Sequence, residues 1–203
     1  MAAEDSYKTL GAGAEAIFKE KSSKFLAFAW PVRSEEEIRL HLDTLRKKYY
    51  DATHQCYAWR LGPQGERSRA NDDGEPSGTA GRPILGQMLS AGVTYCLIVV
   101  VRYFGGTKLG VPGLIAAYRE SAAAALQQAE IVERTVDTLF DIRFSYMVLN
   151  DVMRIIKEEQ PLVLAQEFDN LCTMRLSMRR SRSEALAARL AKVEGLDLET
   201  SEE

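Results

Sequence analysis

The sequence predicts an α+β protein built in two parts, and three observations carry that reading. Short apolar runs of two-residue period alternate with stretches whose apolar residues recur every three or four positions. The texture changes near Val132, where a near-continuous apolar strand and an alanine-rich helix give way to strictly alternating strands. The last stretch, about seventy residues, then runs strand, helix, strand, strand, helix, strand, the order of a ferredoxin-like split βαβ unit. The expected domains are therefore 1–132 and 133–203.

Each element has its own signal. Leu26, Phe28, Trp30 and Val32 share one face of a strand that follows a bend at Lys21-Ser22-Ser23-Lys24. Ser34-Glu35-Glu36-Glu37 is a capping box, and Ile38, Leu42, Leu45 and Tyr49 continue it at helical spacing. Tyr57, Trp59 and Leu61 alternate along a strand from His54, the Gly62-Pro63-Gln64-Gly65 turn follows, and Glu66–Ala70 is its hairpin partner. Thr79 is placed to cap a short helix with Ile84, Leu85, Met88 and Leu89 facing inward, ended by Gly92. Thr94–Val101 reads as a strand buried on both faces, since Tyr95–Val101 is almost pure hydrocarbon. Pro112 stands in the first turn of the next helix, lined inside by Leu114, Ile115, Tyr118, Ala122, Ala125 and Ala129.

In the second part, Val136, Thr138, Phe140, Ile142 and Phe144 alternate with more polar neighbours. Val148, Val152, Ile155 and Ile156 form a helix that Pro161 stops. Leu162–Phe168 and Cys172–Arg179 are strands around the turn pair Asp169-Asn170. Ser181-x-x-Glu184 reads as a second capping box for a helix through Leu186, Leu190 and Val193. Leu196–Leu198 is a short last strand, and Glu199–Glu203 is expected to fray.

The chain has 203 residues, 46% hydrophobic and 27% charged, an ordinary globular composition. No run is long enough to span a membrane, and Met1–Gly13 has acids and no apolar segment of the signal-peptide kind. A cytoplasmic protein is expected. Cys56, Cys96 and Cys172 are far apart and make no zinc or CxxC pattern, so they are expected as buried free thiols. Net charge is −3, and residues 133–203 hold ten Lys+Arg against fourteen Asp+Glu. Any nucleic-acid contact needs a local basic patch, not bulk charge.

Residues 72–113 concentrate the chemistry. Asp72, Asp73 and Glu75 read either as clustered carboxylates for a cation or as a solvated turn, since Asp-Gly and Glu-Pro are turn dipeptides. Arg102-Tyr103-Phe104-Gly105-Gly106-Thr107-Lys108-Leu109-Gly110 ends the buried strand with charge, rings and glycines. It suits either an anion approaching the next helix or a tight strand-to-helix turn. No Walker lysine follows the strand. His54 and Cys56 share a strand face, yet no oxyanion-hole motif accompanies them. Arg175, Arg179, Arg180 and Arg182 read as an RNA-compatible strand face or as a solvated one. No catalytic residue, metal site or cofactor is predicted.

Four segments resemble the IMPACT/YigZ family, once described as an uncharacterised protein family. They are Lys21–Phe25, Ala52–Ala58, Asp72–Pro76 through Gly81-Arg82-Pro83, and Val99–Gly110. The likeness covers about residues 15–130, and the remainder resembles the smaller domain that bacterial members carry. One departure is Pro112, where members commonly have glycine. The resemblance implies a first domain like domain 2 of ribosomal protein S5 and a ferredoxin-like second domain like those of elongation factor G. Eukaryotic relatives act in translational control, by competing for the activator of an initiation-factor kinase; bacterial ones have no settled activity. The implied function is non-enzymatic: binding RNA, the ribosome or a ribosome-associated protein, with no membrane role and an oligomeric state left open. The expected binding residues are Lys21, Lys24, His54, Asp72, Asp73, Glu75, Arg82, Arg102, Tyr103, Phe104, Gly105, Gly106, Lys108 and Gly110. The rival expectation is an enzyme acting on an anionic, phosphorylated or carboxylated small molecule at the Asp72/Asp73/Glu75–Arg102 region. A further alternative makes the acidic loop itself a protein-recognition element.

Overall fold

A computed structural model describes residues 5–202. It is α+β throughout and separates into two compact units, Tyr7–Arg134 and the residues from Thr135 onward, with Asp5 and Ser6 grouped in the latter.

The first unit is organised by one apolar strand. β1 (Ser6–Leu10) pairs with β7 (Ile131–Thr135). Between them come β2 (Ala14–Glu20), β3 (Ser23–Pro31), α1 (Glu35–Lys48), β4 (His54–Leu61), β5 (Arg67–Asn71), α2 (Gly81–Ala91), β6 (Cys96–Tyr103) and α3 (Gly110–Gln128). The sheet order is β2-β3-β6-β4-β5, antiparallel at every step. Central β6 is buried from Cys96 to Arg102, as its unbroken hydrocarbon sequence requires. Val100 and Ile98 pack with Ile84, Met88 and Tyr118 of α2 and α3 on one face. Val99 and Val101 pack with Ile38 and Leu45 of α1 on the other.

Local signals hold in most places. Ser34 caps α1 by accepting from Glu37 N at 3.2 Å, and the Glu37 carboxylate reaches back to Arg33 N at 2.8 Å. The bend between β2 and β3 is a tight turn at Lys21 and Ser22, both at positive φ. Three expectations fail. Thr79 does not cap α2: its hydroxyl donates to Pro76 O, and the helix begins after Ala80 with no side-chain cap of its own. Leu89 and Ile115 face outward, because α2 and α3 each show the sheet a narrower stripe than the periodicity suggested. Ile84 and Met88, and Leu114 and Tyr118, fill those stripes.

The second unit runs β8 (Asp137–Ser145), a single 3-10 turn at Tyr146–Val148, α4 (Leu149–Glu159), β9 (Leu162–Glu167), β10 (Leu171–Arg179), α5 (Arg180–Leu190) and β11 (Asp197–Glu202). The order β11-β8-β10-β9, all antiparallel, is that of the ferredoxin-like fold. Phe140, Ile142, Phe144, Leu176, Leu186 and Leu190 fill its core. Two expectations change here. Ser181 is not an N-cap, since α5 has already begun at Arg180 and has no side-chain cap. Residues 199–202 are not frayed: they continue β11 and pair with β8, Glu199 opposite Asp141 and Thr200 opposite Phe140. Glu203 lies outside the described residues. None of the helices is long and apolar enough to cross a membrane, among the described residues.

Candidate binding site

The acidic loop and the glycine turn meet at the end of β6. Register brings the parts together: Arg102 pairs with His54 of β4 on one side and with Phe25 of β3 on the other. The Asp72–Gly78 loop leaves β5 and crosses this strand end before α2 starts.

Asp72 faces inward to the backbone. Its Oδ1 accepts from Ala80 N (3.1 Å) and Gly81 N (2.8 Å), and its Oδ2 from Gly78 N (2.8 Å). It supplies the helix cap that Thr79 was expected to give. Partial burial works to raise its pKa, but those three N–H donors and nearby Arg82 prevail and hold the carboxyl below its usual range. Gly81 can only be glycine, because a Cβ there would lie 2.5 Å from Asn71 N. Asp73, at positive φ, accepts from Gln55 N at 2.6 Å and offers its carbonyl to His54 Nδ1 at 2.8 Å.

Glu75 is the hub. Its carboxylate is buried, and Oε1 accepts from Arg102 Nη1 (2.6 Å) and Tyr118 Oη (2.7 Å). His54 Nε2 stands 3.8 Å from the same oxygen. Arg102 is 5% exposed, with its guanidinium between the rings of Phe25 and Phe104, 5.5 and 5.6 Å from their centroids. Its Nη2 reaches Ser23 Oγ at 3.4 Å, while its Nε finds no partner among the described residues. Cys56 Sγ lies 2.9 Å from Asp72 O and 3.4 Å from Tyr118 Oη. Burial, more than any neighbour, drives the Cys56 thiol and the Tyr118 phenol far above their ordinary pKa values. Neither is a nucleophile or base near neutral pH.

The turn after β6 is fastened by its backbone. Gly105 N donates to Ser23 Oγ (3.2 Å) and Phe104 N to Thr53 Oγ1 (3.1 Å). Gly105 sits so close to the β2–β3 turn that a Cβ would fall 2.1 Å from Ser22 C. Gly106 and Gly110 take positive φ. Tyr103 donates to Asp51 Oδ1 at 2.8 Å, and that bond raises its phenol pKa.

Of the fourteen residues singled out in the sequence, Tyr103, Gly105, Gly106 and Gly110 belong to the end of β6 and the turn after it, and the other ten divide into two sets. Asp72, Asp73, Glu75, His54 and Arg102 do come together, but they bond mainly to backbone, to each other and to Tyr118 and Ser23, and Arg102 is buried. Arg102 is therefore not a surface cation. Lys21, Lys24, Arg82 and Lys108 are exposed and make no ion pair among the described residues, and Phe104 is 47% exposed. No group of three His, Cys, Asp or Glu side chains is arranged to hold a metal among the described residues. Sequence reading missed Ser23 and Tyr118. Ser23 gave no signal. Tyr118 gave one: a tyrosine on the buried stripe of a helix needs a partner for its hydroxyl.

Comparison with known proteins gives a consistent result. The Impact N-terminal domain family matches residues 21–126. "IMPACT family member YvyE" of Bacillus subtilis (strain 168) is 35% identical over 158 residues, 78% of this chain and 73% of that protein. "IMPACT family member YigZ" of Escherichia coli (strain K12) is 29% identical over 173 residues, 84% of this chain and 85% of that protein. A crystal structure described as that of a hypothetical protein superposes with a TM-score of 0.73 at 28% identity, covering 97% of each chain.

Proposed function

The chain belongs to the IMPACT family, and from that premise we propose that it is a non-enzymatic, translation-associated regulatory protein that contacts ribosomal RNA through its N-terminal domain, residues 1–132. Cytoplasmic localisation goes with that role. The family's part in eukaryotic translational control supports the general reading. One observation carries the specific one. Inside the site Arg102 is paired with Glu75, while Lys21, Lys24, Arg82 and Lys108 are exposed and make no ion pair among the described residues, and Phe104 is half-exposed. Exposed cations suit phosphates, and an exposed ring suits a stacked base.

The enzyme alternative is not favoured. It needs a free acid or base in reach of a substrate, and Glu75, Asp72 and Arg102 are engaged within the fold. The test is co-sedimentation with ribosomes at rising salt. Binding that weakens steeply with salt, and falls in Lys24→Glu and Lys108→Glu, supports the reading. Salt-insensitive binding, or none at low salt, sinks it.

A further inference from the structure

The face of the five-stranded sheet that carries α1 opens at its β2 side. Ile38 and Leu45 of α1 pack over β3, β6 and β4. Beyond them, Ile17 of β2 stays 63% exposed. A hollow of about 440 Å³ lies there. Leu26 and Phe28, both buried, form its floor, and Ile17 and Tyr49 stand at its sides. The Tyr49 ring is 5.6 Å from that of Phe28. Small-molecule sites commonly measure about 300–1,000 Å³ and join an apolar lining to a few placed polar groups.

Strand register sorts the polar groups to the two ends of this hollow. At one end Lys19 and Lys24 are direct cross-strand partners. Both are exposed, and neither makes an ion pair among the described residues. Like charges directly opposite on neighbouring strands repel, and an anion set between them relieves that repulsion. Lys48 adds a cation on the helix side, its Nζ 5.1 Å from the Tyr49 ring centroid. At the other end stands Glu15, the cross-strand partner of Phe28. It is about 13 Å along β2 from Lys19 at the usual rise of a strand. It too is exposed and makes no ion pair among the described residues.

A ligand that matches these ends is negative at one, donates hydrogen bonds at the other and is flat and apolar between. A nucleotide has that form. Guanine sets N1–H and N2–H side by side, as the two oxygens of a carboxylate require. Uracil has one N–H between two carbonyls, so the second carboxylate oxygen would meet a carbonyl. An acidic side chain would satisfy the lysines and brings no donor for Glu15.

We propose that the hollow receives one unpaired guanosine of the bound RNA. Its phosphate lies between Lys19 and Lys24, its base on Leu26 and Phe28 beside Tyr49, and its Watson–Crick edge on Glu15. This rests on the RNA reading above and deepens it, because it makes the contact selective for one base and confines it to single strands.

The probes are three fluorescently labelled RNAs: an oligouridine with one central guanosine, an all-uridine strand of the same length, and the first annealed to its complement. Binding to the full chain is read by anisotropy, beside the ribosome co-sedimentation. The guanosine strand should bind roughly tenfold tighter than the all-uridine strand, and the duplex should lose that advantage. Glu15→Gln should erase the preference without weakening the all-uridine strand. Lys19→Gln should weaken both strands and lower the salt slope by about one. Both positions are exposed, and unchanged circular dichroism checks that each variant folds. Equal binding of the two strands, a preference that survives Glu15→Gln, or no binding overturns the proposal. Displacement of the strand by free guanosine monophosphate at matched affinity overturns the assignment to RNA, and equal displacement by polyglutamate overturns the assignment to a nucleotide. Salt-sensitive ribosome binding without guanosine preference sinks this inference and leaves the translational reading standing. Guanosine-selective binding without ribosome binding does the reverse.

Discussion

Arg102 and Glu75, 27 positions apart in the chain, form a buried ion pair 2.6 Å long, and Tyr118 donates to the same glutamate oxygen at 2.7 Å. The pair fastens the acidic loop to the central strand. Removing one partner leaves a buried charge without its counter-charge. Arg102→Met is therefore expected to cost about 3–5 kcal/mol of stability. Arg102→Met with Glu75→Gln should recover much of that loss. Urea denaturation of the three chains measures both numbers, and a double variant no better than the single one would refute the pairing energetics.

Asp72→Ala should cost about 1–2 kcal/mol, the worth of a strong N-cap, because three N–H groups lose their acceptor. The pH dependence has a definite sign. The folded-state pKa of Asp72 lies below the ordinary carboxylate value. Its contribution is thus complete above that ordinary value and fades as pH falls through the lowered one. Stability of Asp72→Ala relative to the parent should converge as the solution is acidified.

Asp5 offers a cleaner titration. Arg179 grips its two oxygens from Nε and Nη2, each at 2.8 Å, and that hydrogen bonding holds the carboxyl down at about 2. The depressed value means the pairing is intact above the ordinary carboxylate pKa and is lost as pH falls toward about 2. Carbon-detected NMR should place the Asp5 midpoint there, and Arg179→Gln should raise it toward the ordinary range, with the hydrogen bonds from Ser181 still holding it somewhat low.

Gly105→Ala is expected to destabilise by roughly 1–3 kcal/mol, since the added methyl meets backbone and not a movable side chain. The damage should appear in the β2–β3 turn, read as shifted amide resonances of Ser22 and Ser23. Gly106→Ala should differ, because no atom stands within 4 Å of a Cβ there and its cost is that of positive φ alone.

All three cysteines are buried. For Cys96, burial pushes the thiol up to about 12. A thiol reagent at neutral pH should label none of them in the native protein and all three in denaturant. Rapid labelling of Cys56 in the native state would show that the Glu75 loop opens readily.

Periodicity made most of the fold legible. The unbroken run before Arg102 announced a strand covered on both sides, and the order after Val132 announced the ferredoxin-like unit. What failed were signals that depend on competition between neighbours. Thr79 is a good cap residue, yet Asp72 displaces it from six, eight and nine positions away by presenting two oxygens to three N–H groups. Glu199–Glu203 has a tail-like composition, but β8 offers an open ladder to residues 199–202. At the site, residue type drew attention to the right loops and misjudged direction. Arg102 looked like a surface cation, and only the cross-strand register reveals that it points into the core beneath Phe104.

The place of β11 has a consequence for synthesis. It completes the sheet beside β8, the first strand of its unit, although every other strand precedes it in the chain. As the chain emerges from its amino end, the five-stranded sheet of the first unit can close while later residues are still being added. β8, by contrast, must wait with one flank unpaired until residues 197–202 are free. During that interval the second unit would have two open edges, β8 and β9, and would be at its most prone to pair with the wrong strand.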